Sequence, residues 1–144
     1  MPRNEIGQEV SFTITKKCSR VLVADDDPII RRLVTSILKQ VGCTPVVVTD
    51  GREAYRLLQT DSNFKAAIFD MVMPYLDGLE IIRYMHTEKR LMRIPVMMIT
   101  SERDTTLMTN SFAAGATFFL PKPFTSDQLQ TTLGMLFNSR IAAK

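Results

Sequence analysis

The amino-acid sequence predicts a doubly wound α/β fold, in which helices cover both faces of a five-stranded parallel sheet. Short apolar runs alternate with amphipathic stretches of helical period five times along the chain. The predicted strands are almost continuously apolar, as strands buried on both faces are. Right-handed crossovers leave few topologies, and we expect the strand order 2-1-3-4-5, which brings the ends of strands one and three together at the switch point.

The first βα unit shows the pattern most clearly. The run RVLVA at Arg20–Ala24 is short, apolar and followed at once by three aspartates. We expect Asp27 to cap the next helix, with Pro28 at its first position, where the missing N–H costs nothing. Apolar residues then recur at helical spacing until Gly42, which ends the helix.

The same cycle repeats four times. The remaining predicted strands are Thr44–Val48, Ala66–Phe69 running into Asp70, Pro95–Thr100 and Thr117–Leu120. The remaining predicted helices run from Asp50 to Thr60, from about Leu79 to His86, from Asp104 to Ala114 ahead of Gly115, and from Ser126 to about Ser139. We expect Ser126 to cap the last helix and Asp77-Gly78 to form only a turn.

Bulk properties exclude several classes of protein. The 144 residues carry a net charge of only +3, which indicates neither nucleic acid nor membrane as a direct partner. No apolar run approaches membrane-spanning length, and the N-terminus lacks the apolar core of a signal peptide. Cys18 and Cys43 form no disulfide framework, so the expected location is cytoplasmic. A basic cluster is predicted to be a solvated face, with no recognition helix beside it: His86, Lys89, Arg90 and Arg93.

The N-terminal residues lie outside the repeating pattern. We predict that residues 1–18 are an N-terminal extension, mobile in solution, and that residues 19–141 form the domain. Val10, Phe12 and Ile14 alternate with polar residues, so a short edge strand is the alternative for this extension.

Charged and hydroxyl side chains fall at the ends of four predicted strands. Asp25 and Asp26 follow strand one, Asp70 ends strand three, Thr100 ends strand four and Lys122 lies just past strand five. The carboxyl ends of parallel strands form one edge of the sheet, where ligands bind. Three carboxylates at one site repel each other unless a cation joins them, and an all-oxygen ligand set suits Mg²⁺.

Four blocks carry a family resemblance: VLVADDDP, FDMVMPYLDG, PVMMITS and GATFFLPKPF. In order and spacing, across about residues 19–140, the chain resembles the CheY-like receiver domains of bacterial two-component systems. The resemblance implies a flavodoxin-like three-layer sandwich and a phosphoacceptor switch in a phosphorelay, rather than an enzyme. It implies a histidine kinase or phosphotransfer protein as phosphodonor and a downstream protein partner that the sequence does not identify.

The resemblance also assigns the phosphoacceptor and the metal ligands. Asp70 would be the nucleophile that receives the phosphoryl group. Asp26 would bind Mg²⁺ directly, and Asp25 would bind it directly or through water. Asp70 itself and the backbone carbonyl of Val72 would complete the protein ligands.

The remaining implied roles concern phosphoryl binding and the switch. Lys122 would pair with the phosphoryl oxygens and would precede Pro123 through a cis peptide bond. Thr100 would donate a hydrogen bond to the phosphoryl group and would move toward it on phosphorylation. Phe119 on strand five would turn inward behind Thr100.

Two other functions use some of the same features. A metal-dependent phosphohydrolase of the haloacid-dehalogenase type would need a second aspartate two residues after the nucleophile, where this chain has Val72. A degenerate receiver would bind partners without being phosphorylated, but all five residues of the constellation are present. Few residues follow the last predicted helix, so the chain is expected to be either a stand-alone regulator or a piece of a longer protein.

Overall fold

The sheet has the predicted strand order and direction. A computed structural model describes residues 19–101 and 105–142, and the predicted N-terminal extension lies outside these ranges. Five parallel strands pair in the order β2-β1-β3-β4-β5, which confirms the expected topology. The strands are β1 (Arg20–Ala24), β2 (Thr44–Val48), β3 (Ala66–Asp70), β4 (Val96–Thr100) and β5 (Phe118–Pro121).

Helices cover both faces of the sheet and form three layers with it. They are α1 (Pro28–Gln40), α2 (Gly51–Thr60), α3 (Gly78–Met85), α4 (Lys89–Met92), α5 (Thr105–Ala114) and α6 (Ser126–Ala142). Helices α1 and α6 pack on one face, and α2 to α5 pack on the other. None of the helices in the described ranges combines the length and apolar character that crossing a lipid bilayer would require.

The three central strands are buried on both faces, which explains their continuous apolar character. Every residue of β3 and β4 is buried, and so are four of the five residues of β1. The edge strands β2 and β5 are partly exposed. Side chains such as Leu22 and Phe69 enter one core, while Val23 and Ile68 enter the other, because alternate residues of a strand face opposite sides. Full burial of each such side chain stabilises the fold by about 1.5–3 kcal/mol.

Helix caps follow the strands at the carboxyl edge of the sheet. The Asp27 side chain accepts from the Ile29 N–H at 2.9 Å with Pro28 in the first turn, as predicted. The prediction for Ser126 is wrong, because Thr125 is the capping residue: its hydroxyl accepts from the Gln128 N–H at 3.0 Å. The Gln128 side chain in turn accepts from the Thr125 N–H, which completes a capping box.

Asp77 does more than form a turn. Its carboxylate accepts from the Glu80 N–H at 2.8 Å, while Glu80 accepts from the Asp77 N–H at 2.9 Å. This capping box begins α3 immediately after the loop that follows β3. The prediction of a simple turn is therefore corrected to a helix start.

The basic cluster is also more structured than predicted. Lys89 begins the short helix α4, which the sequence analysis did not anticipate. The Arg90 guanidinium donates to the carbonyl oxygens of Leu58 at 2.7 Å and Gln59 at 3.1 Å, at the C-terminal end of α2. Arg90 therefore satisfies carbonyl groups that a helix end leaves without partners, and only part of the cluster is a solvated face.

Candidate functional site

The strand ends bring the predicted acidic residues together. Strands β1 and β3 are hydrogen-bonded neighbours, with Ala24 opposite Phe69, so the residues that follow them meet at one edge. One carboxylate oxygen from each of Asp25, Asp26 and Asp70 lies within 4.8 Å of the other two. Asp25 and Asp70 are buried, and Asp26 is exposed. The site is therefore a recessed acidic pocket with one open side.

Lys122 reaches both buried carboxylates. Its ammonium nitrogen lies 3.3 Å from Oδ2 of Asp70 and 3.5 Å from Oδ2 of Asp25. The Lys122 N–H donates to the Thr100 carbonyl at 2.8 Å, which ties the lysine to the end of β4. The Lys122–Pro123 peptide bond is cis, as the family resemblance implied.

Asp25 is held by the backbone but keeps one oxygen available. Its Oδ1 accepts from the Asp27 N–H at 2.8 Å, and its main-chain carbonyl accepts from the Arg31 guanidinium at 2.8 Å. Its Oδ2 is buried and has no hydrogen-bond partner in the described residues, although it faces the Lys122 ammonium group. A buried carboxylate oxygen in this state is costly, and a bound cation would relieve that cost.

Burial dominates the electrostatics of the pocket. Loss of solvent raises the pKa of Asp25 to about 6, and the charge of Asp70 adds to this rise. Burial also raises the pKa of Asp70, against the opposing effect of the Lys122 ammonium group. A cation bound beside these carboxylates would lower both pKa values and favour their ionised forms.

These shifts predict an unusual pH dependence of stability in the Mg²⁺-free protein. The folded state holds the Asp25 proton to about pH 6, whereas the unfolded chain releases it near 3.8. Stability is therefore lost as the pH rises between these values, by on the order of 3 kcal/mol in all. We expect a higher melting temperature at pH 5 than at pH 7 in the presence of EDTA.

The control for this effect is Asp25→Asn, which should flatten the pH dependence between pH 5 and 7. Circular dichroism melts of both proteins provide the measurement. A wild-type melting temperature that increases from pH 5 to pH 7 without Mg²⁺ would contradict the electrostatic description of the pocket.

The donor set suits a hard cation. Three carboxylates and a single ammonium group leave an excess of negative charge, and all the donor atoms of the cluster are oxygen. The buried Oδ2 of Asp25 accepts no hydrogen bond from the described residues, so it can serve as a cation ligand beside the Lys122 ammonium group. Oxygen ligands of this kind favour Mg²⁺ or Ca²⁺ over Zn²⁺ or Cu²⁺.

Comparison with known proteins decides the family. Residues 21–134 match the family model described as the response regulator receiver domain. The chain belongs to this family. The match covers most of the sequence, including every strand end of the acidic pocket, and confirms the resemblance carried by the four sequence blocks.

Several relatives of this receiver domain are chemotaxis proteins. It is 29% identical over 121 residues to the chemotaxis protein CheY1 of Helicobacter pylori, which covers 83% of this chain and 98% of the relative. It is 31% identical over 115 residues to a CheY homologue of Campylobacter jejuni, covering 79% and 88% of the two chains. It therefore spans nearly the whole length of these relatives.

Solved structures agree with the fold. CheY4 of Vibrio cholerae, a chemotaxis response regulator, is 31% identical and superposes with a TM-score of 0.76 over 82% of this chain and 98% of its own. The receiver domain of a sensor histidine kinase from Pseudomonas aeruginosa is 25% identical, with a TM-score of 0.75 over 83% and 98% of the two chains. That structure has a magnesium ion coordinated in its active-site cleft.

The other predicted residues of the receiver domain lie on β4, on β5 and in the loop after β3. Thr100 ends β4 and is only 1% exposed, while Phe119 lies half-buried on β5. Val72 follows Asp70 by two residues, its N–H donates to Oδ1 of Asp70 at 3.4 Å, and its side chain is 59% exposed. Sequence reasoning missed Arg31, which holds the carbonyl of Asp25; an arginine in the first turns of a helix gave no signal for that contact.

Proposed function

We propose that this receiver domain is a phosphoacceptor switch, which receives a phosphoryl group on Asp70 and then changes the surface that it offers to a downstream partner. The single observation that supports this most strongly is the Lys122 ammonium group held between the buried carboxylates of Asp25 and Asp70. The phosphodonor in this proposal is a histidine kinase or a phosphotransfer protein. The proposal includes a cytoplasmic location, with residues 19–141 as the functional unit.

The proposed reaction is phosphoryl transfer between two side chains. A carboxylate oxygen of Asp70 attacks the phosphorus of a phosphohistidine, and a P–O bond forms as the P–N bond breaks. The bonding electron pair returns to the imidazole ring, which takes up a proton from solvent. Little covalent chemistry is required of the protein, so positioning and charge stabilisation account for most of the acceleration.

The acidic pocket supplies the cation site for this reaction. Asp25, Asp26, Asp70 and the carbonyl of Val72 would hold Mg²⁺. When bound, Mg²⁺ would neutralise negative charge on the phosphoryl oxygens.

Two further side chains would bind the phosphoryl group itself. Lys122 already lies 3.3 Å from the oxygen of Asp70, and its ammonium group would pair with the incoming phosphoryl oxygens. The Thr100 hydroxyl would donate a hydrogen bond to one of them. These contacts compensate charge on the transferred group while Asp70 carries it.

The aliphatic residue Val72, two positions after Asp70, disfavours rapid hydrolysis of the aspartyl phosphate. A phosphohydrolase needs an acid beside the aspartyl phosphate, and this chain has an exposed aliphatic side chain two residues after Asp70. The acyl phosphate should therefore persist long enough to act as a signal. A receiver that never becomes phosphorylated is the remaining alternative, and the labelling experiment distinguishes it.

The proposal predicts Mg²⁺-dependent labelling of the wild-type protein. Incubation with acetyl phosphate and Mg²⁺ should add one phosphoryl group, because the pocket supplies both the nucleophile and the compensating cations. Intact-mass spectrometry measures the adduct, and EDTA should prevent it. Asp26→Asn should weaken Mg²⁺ binding and slow the labelling by at least about tenfold, since it removes a charged ligand.

Absence of the adduct under conditions that label a known receiver domain would exclude phosphorylation from a small donor. Equal labelling with and without EDTA would contradict the metal site. The first result would favour the interaction-only alternative over the switch, whereas the second would remove the metal site and keep the phosphoacceptor.

A further inference from the structure

The loop between β3 and α3 contains a strained turn at Tyr75. The Leu76 N–H donates to the Pro74 carbonyl at 2.9 Å, which closes a three-residue γ-turn with Tyr75 at its centre. Tyr75 has φ of 72°, a value that a bulky L-residue rarely adopts and that corresponds to the less common hand of γ-turn. Such a conformation persists only where the surrounding structure holds it.

The first turn of α2 contacts this loop through its backbone. The Gly51 N–H donates to the Pro74 carbonyl at 3.3 Å. A Cβ atom at Gly51 would overlap the carbonyl oxygen of Leu76, so only glycine permits so close an approach. One side of the strained turn therefore rests against the start of α2.

The next residue of α2 holds the tyrosine ring. The guanidinium carbon of Arg52 lies 3.8 Å from the centroid of the Tyr75 ring, in a cation–π arrangement. The Tyr75 side chain is 66% exposed, and Arg52 is exposed as well. Most of the ring is therefore exposed, and the contact with Arg52 is a specific interaction that can hold its position.

The same loop begins at the proposed phosphoacceptor. The Val72 N–H donates to Oδ1 of Asp70 at 3.4 Å, and the Gly78 N–H donates to the Met71 carbonyl at 3.0 Å. A Cβ atom at Gly78 would crowd the carbonyl oxygen of Asp70. The loop is thus closed onto the end of β3, and a shift of its backbone would move the groups that surround the Asp70 carboxylate.

We propose that Arg52 and Tyr75 form a positioning pair, which holds the β3–α3 loop in the conformation that binds Mg²⁺. This inference rests on the proposed function, because it concerns the site formed by Asp70 and the Val72 carbonyl. Both residues act through the loop, so they are positioning residues rather than ligands. Without the pair, a larger fraction of molecules would have the loop displaced, and the apparent affinity for Mg²⁺ would fall by that fraction.

The direction in which Mg²⁺ affinity changes when Arg52 is replaced distinguishes a positioning role from a purely electrostatic one. Arg52 carries a positive charge beside a site for a divalent cation. If charge alone mattered, its removal would strengthen Mg²⁺ binding. The positioning pair predicts the opposite result.

The experiment is a calorimetric titration with Mg²⁺ of the full chain and its variants. Arg52→Ala and Tyr75→Leu should each weaken binding by about two- to fivefold, the range expected of an exposed cation–π contact. The double variant should be no weaker than either single variant, because both remove the same contact. Arg52→Lys and Tyr75→Phe retain a cation and a ring, and should recover most of the affinity.

Arg56→Ala is the matched control. Arg56 is an exposed arginine one turn further along α2, and its substitution makes the same change in charge. It should leave Mg²⁺ affinity unchanged or slightly increased. A second measurement, made without Mg²⁺, compares amide spectra: Arg52→Ala should shift and broaden the signals of residues 71–78, while Arg56→Ala should not.

The outcomes distinguish failure of the positioning pair from failure of the proposed phosphoacceptor function. If the wild type binds Mg²⁺ and Arg52→Ala binds it equally or more tightly, the positioning pair is wrong and the metal site stands. If the losses of Mg²⁺-binding free energy in the two single variants add fully in the double variant, the two residues act independently and the positioning pair is likewise wrong. If the wild type does not bind Mg²⁺, the proposed function fails as well.

Discussion

Replacement of Asp70 by asparagine is expected to abolish covalent labelling completely. The amide is a poor nucleophile, and it lacks the charge that the pocket offers to a cation. The label on the wild type should be stable in acid and labile in base, as an acyl phosphate is. Intact-mass spectra of the two proteins, incubated side by side with acetyl phosphate and Mg²⁺, provide the measurement.

The chain offers a matched control at the residue that caps α1, next in sequence to the pocket residues Asp25 and Asp26. Asp27→Asn makes the same chemical change, and asparagine caps a helix about as well as aspartate, so α1 should keep its start. This variant should be labelled like the wild type. Equal labelling of wild type and Asp70→Asn would place the phosphoryl group on another residue and would remove the basis of the proposed function.

Asp70→Asn should also remain folded, which makes its failure to label interpretable. Asp70 is one cause of the raised pKa of Asp25, so its neutralisation relieves repulsion in the Mg²⁺-free pocket. We therefore expect this variant to melt at least as high as the wild type at pH 7 in EDTA. The loss of labelling would then reflect chemistry rather than unfolding.

The fold was predictable because its signals are local and repeated. The strand β1 is a short apolar run followed by an acidic residue, and the next helix begins at an aspartate before proline.

The elements that were predicted wrongly or not at all have physical causes. Helix α4 has only four residues, too few to show a period. Thr125 and Ser126 are both good capping residues, and the deciding signal was the glutamine three residues after Thr125.

The clustering of the candidate site residues was predictable from the sequence, but their burial and pKa values were not. Strand ends at one edge of a parallel sheet bring Asp25, Asp70 and Lys122 together whatever the loops do. The burial of Asp25, which raises its pKa, depends on tertiary packing that no local sequence pattern encodes. The turn at Tyr75 gave no signal, because residues with positive φ are recognised from sequence as glycine or asparagine.

Thr100 and Phe119 lie on the same face of the sheet, which supports a coupling between them. In the β4–β5 pairing Met98 is opposite Phe119, and both belong to the same core. Thr100 follows Met98 by two residues, so its side chain faces that side as well. The Phe119 ring lies 6.5 Å from the ring of Phe112 on α5. A movement of Thr100 toward a phosphoryl group would therefore open space beside an aromatic ring that contacts α5.

Phe119 has no hydroxyl group, so in the proposed switch packing alone would have to favour an inward position of its ring. Burial of the ring is worth about 1–3 kcal/mol, enough to shift a two-state equilibrium by roughly five- to 150-fold. Phosphorylation can exploit only a difference in free energy between two such states. The surface that would report the shift is formed by α5, β5 and α6.

Thr100→Ala is therefore expected to separate chemistry from signalling. It should still accept a phosphoryl group on Asp70 but lose the shift of the α5–β5–α6 surface, because the variant lacks the hydroxyl that would donate a hydrogen bond to the phosphoryl group. Amide spectra with and without beryllofluoride, a mimic of the phosphoryl group, provide the measurement. Thr100→Ser should respond like the wild type, and Thr109→Ala, at an exposed position of α5, should not alter the response. If Thr100→Ala shows the full wild-type shifts across residues 105–119 and 126–138, the coupling of Thr100 to Phe119 is wrong, even where the assignment of Asp70 holds.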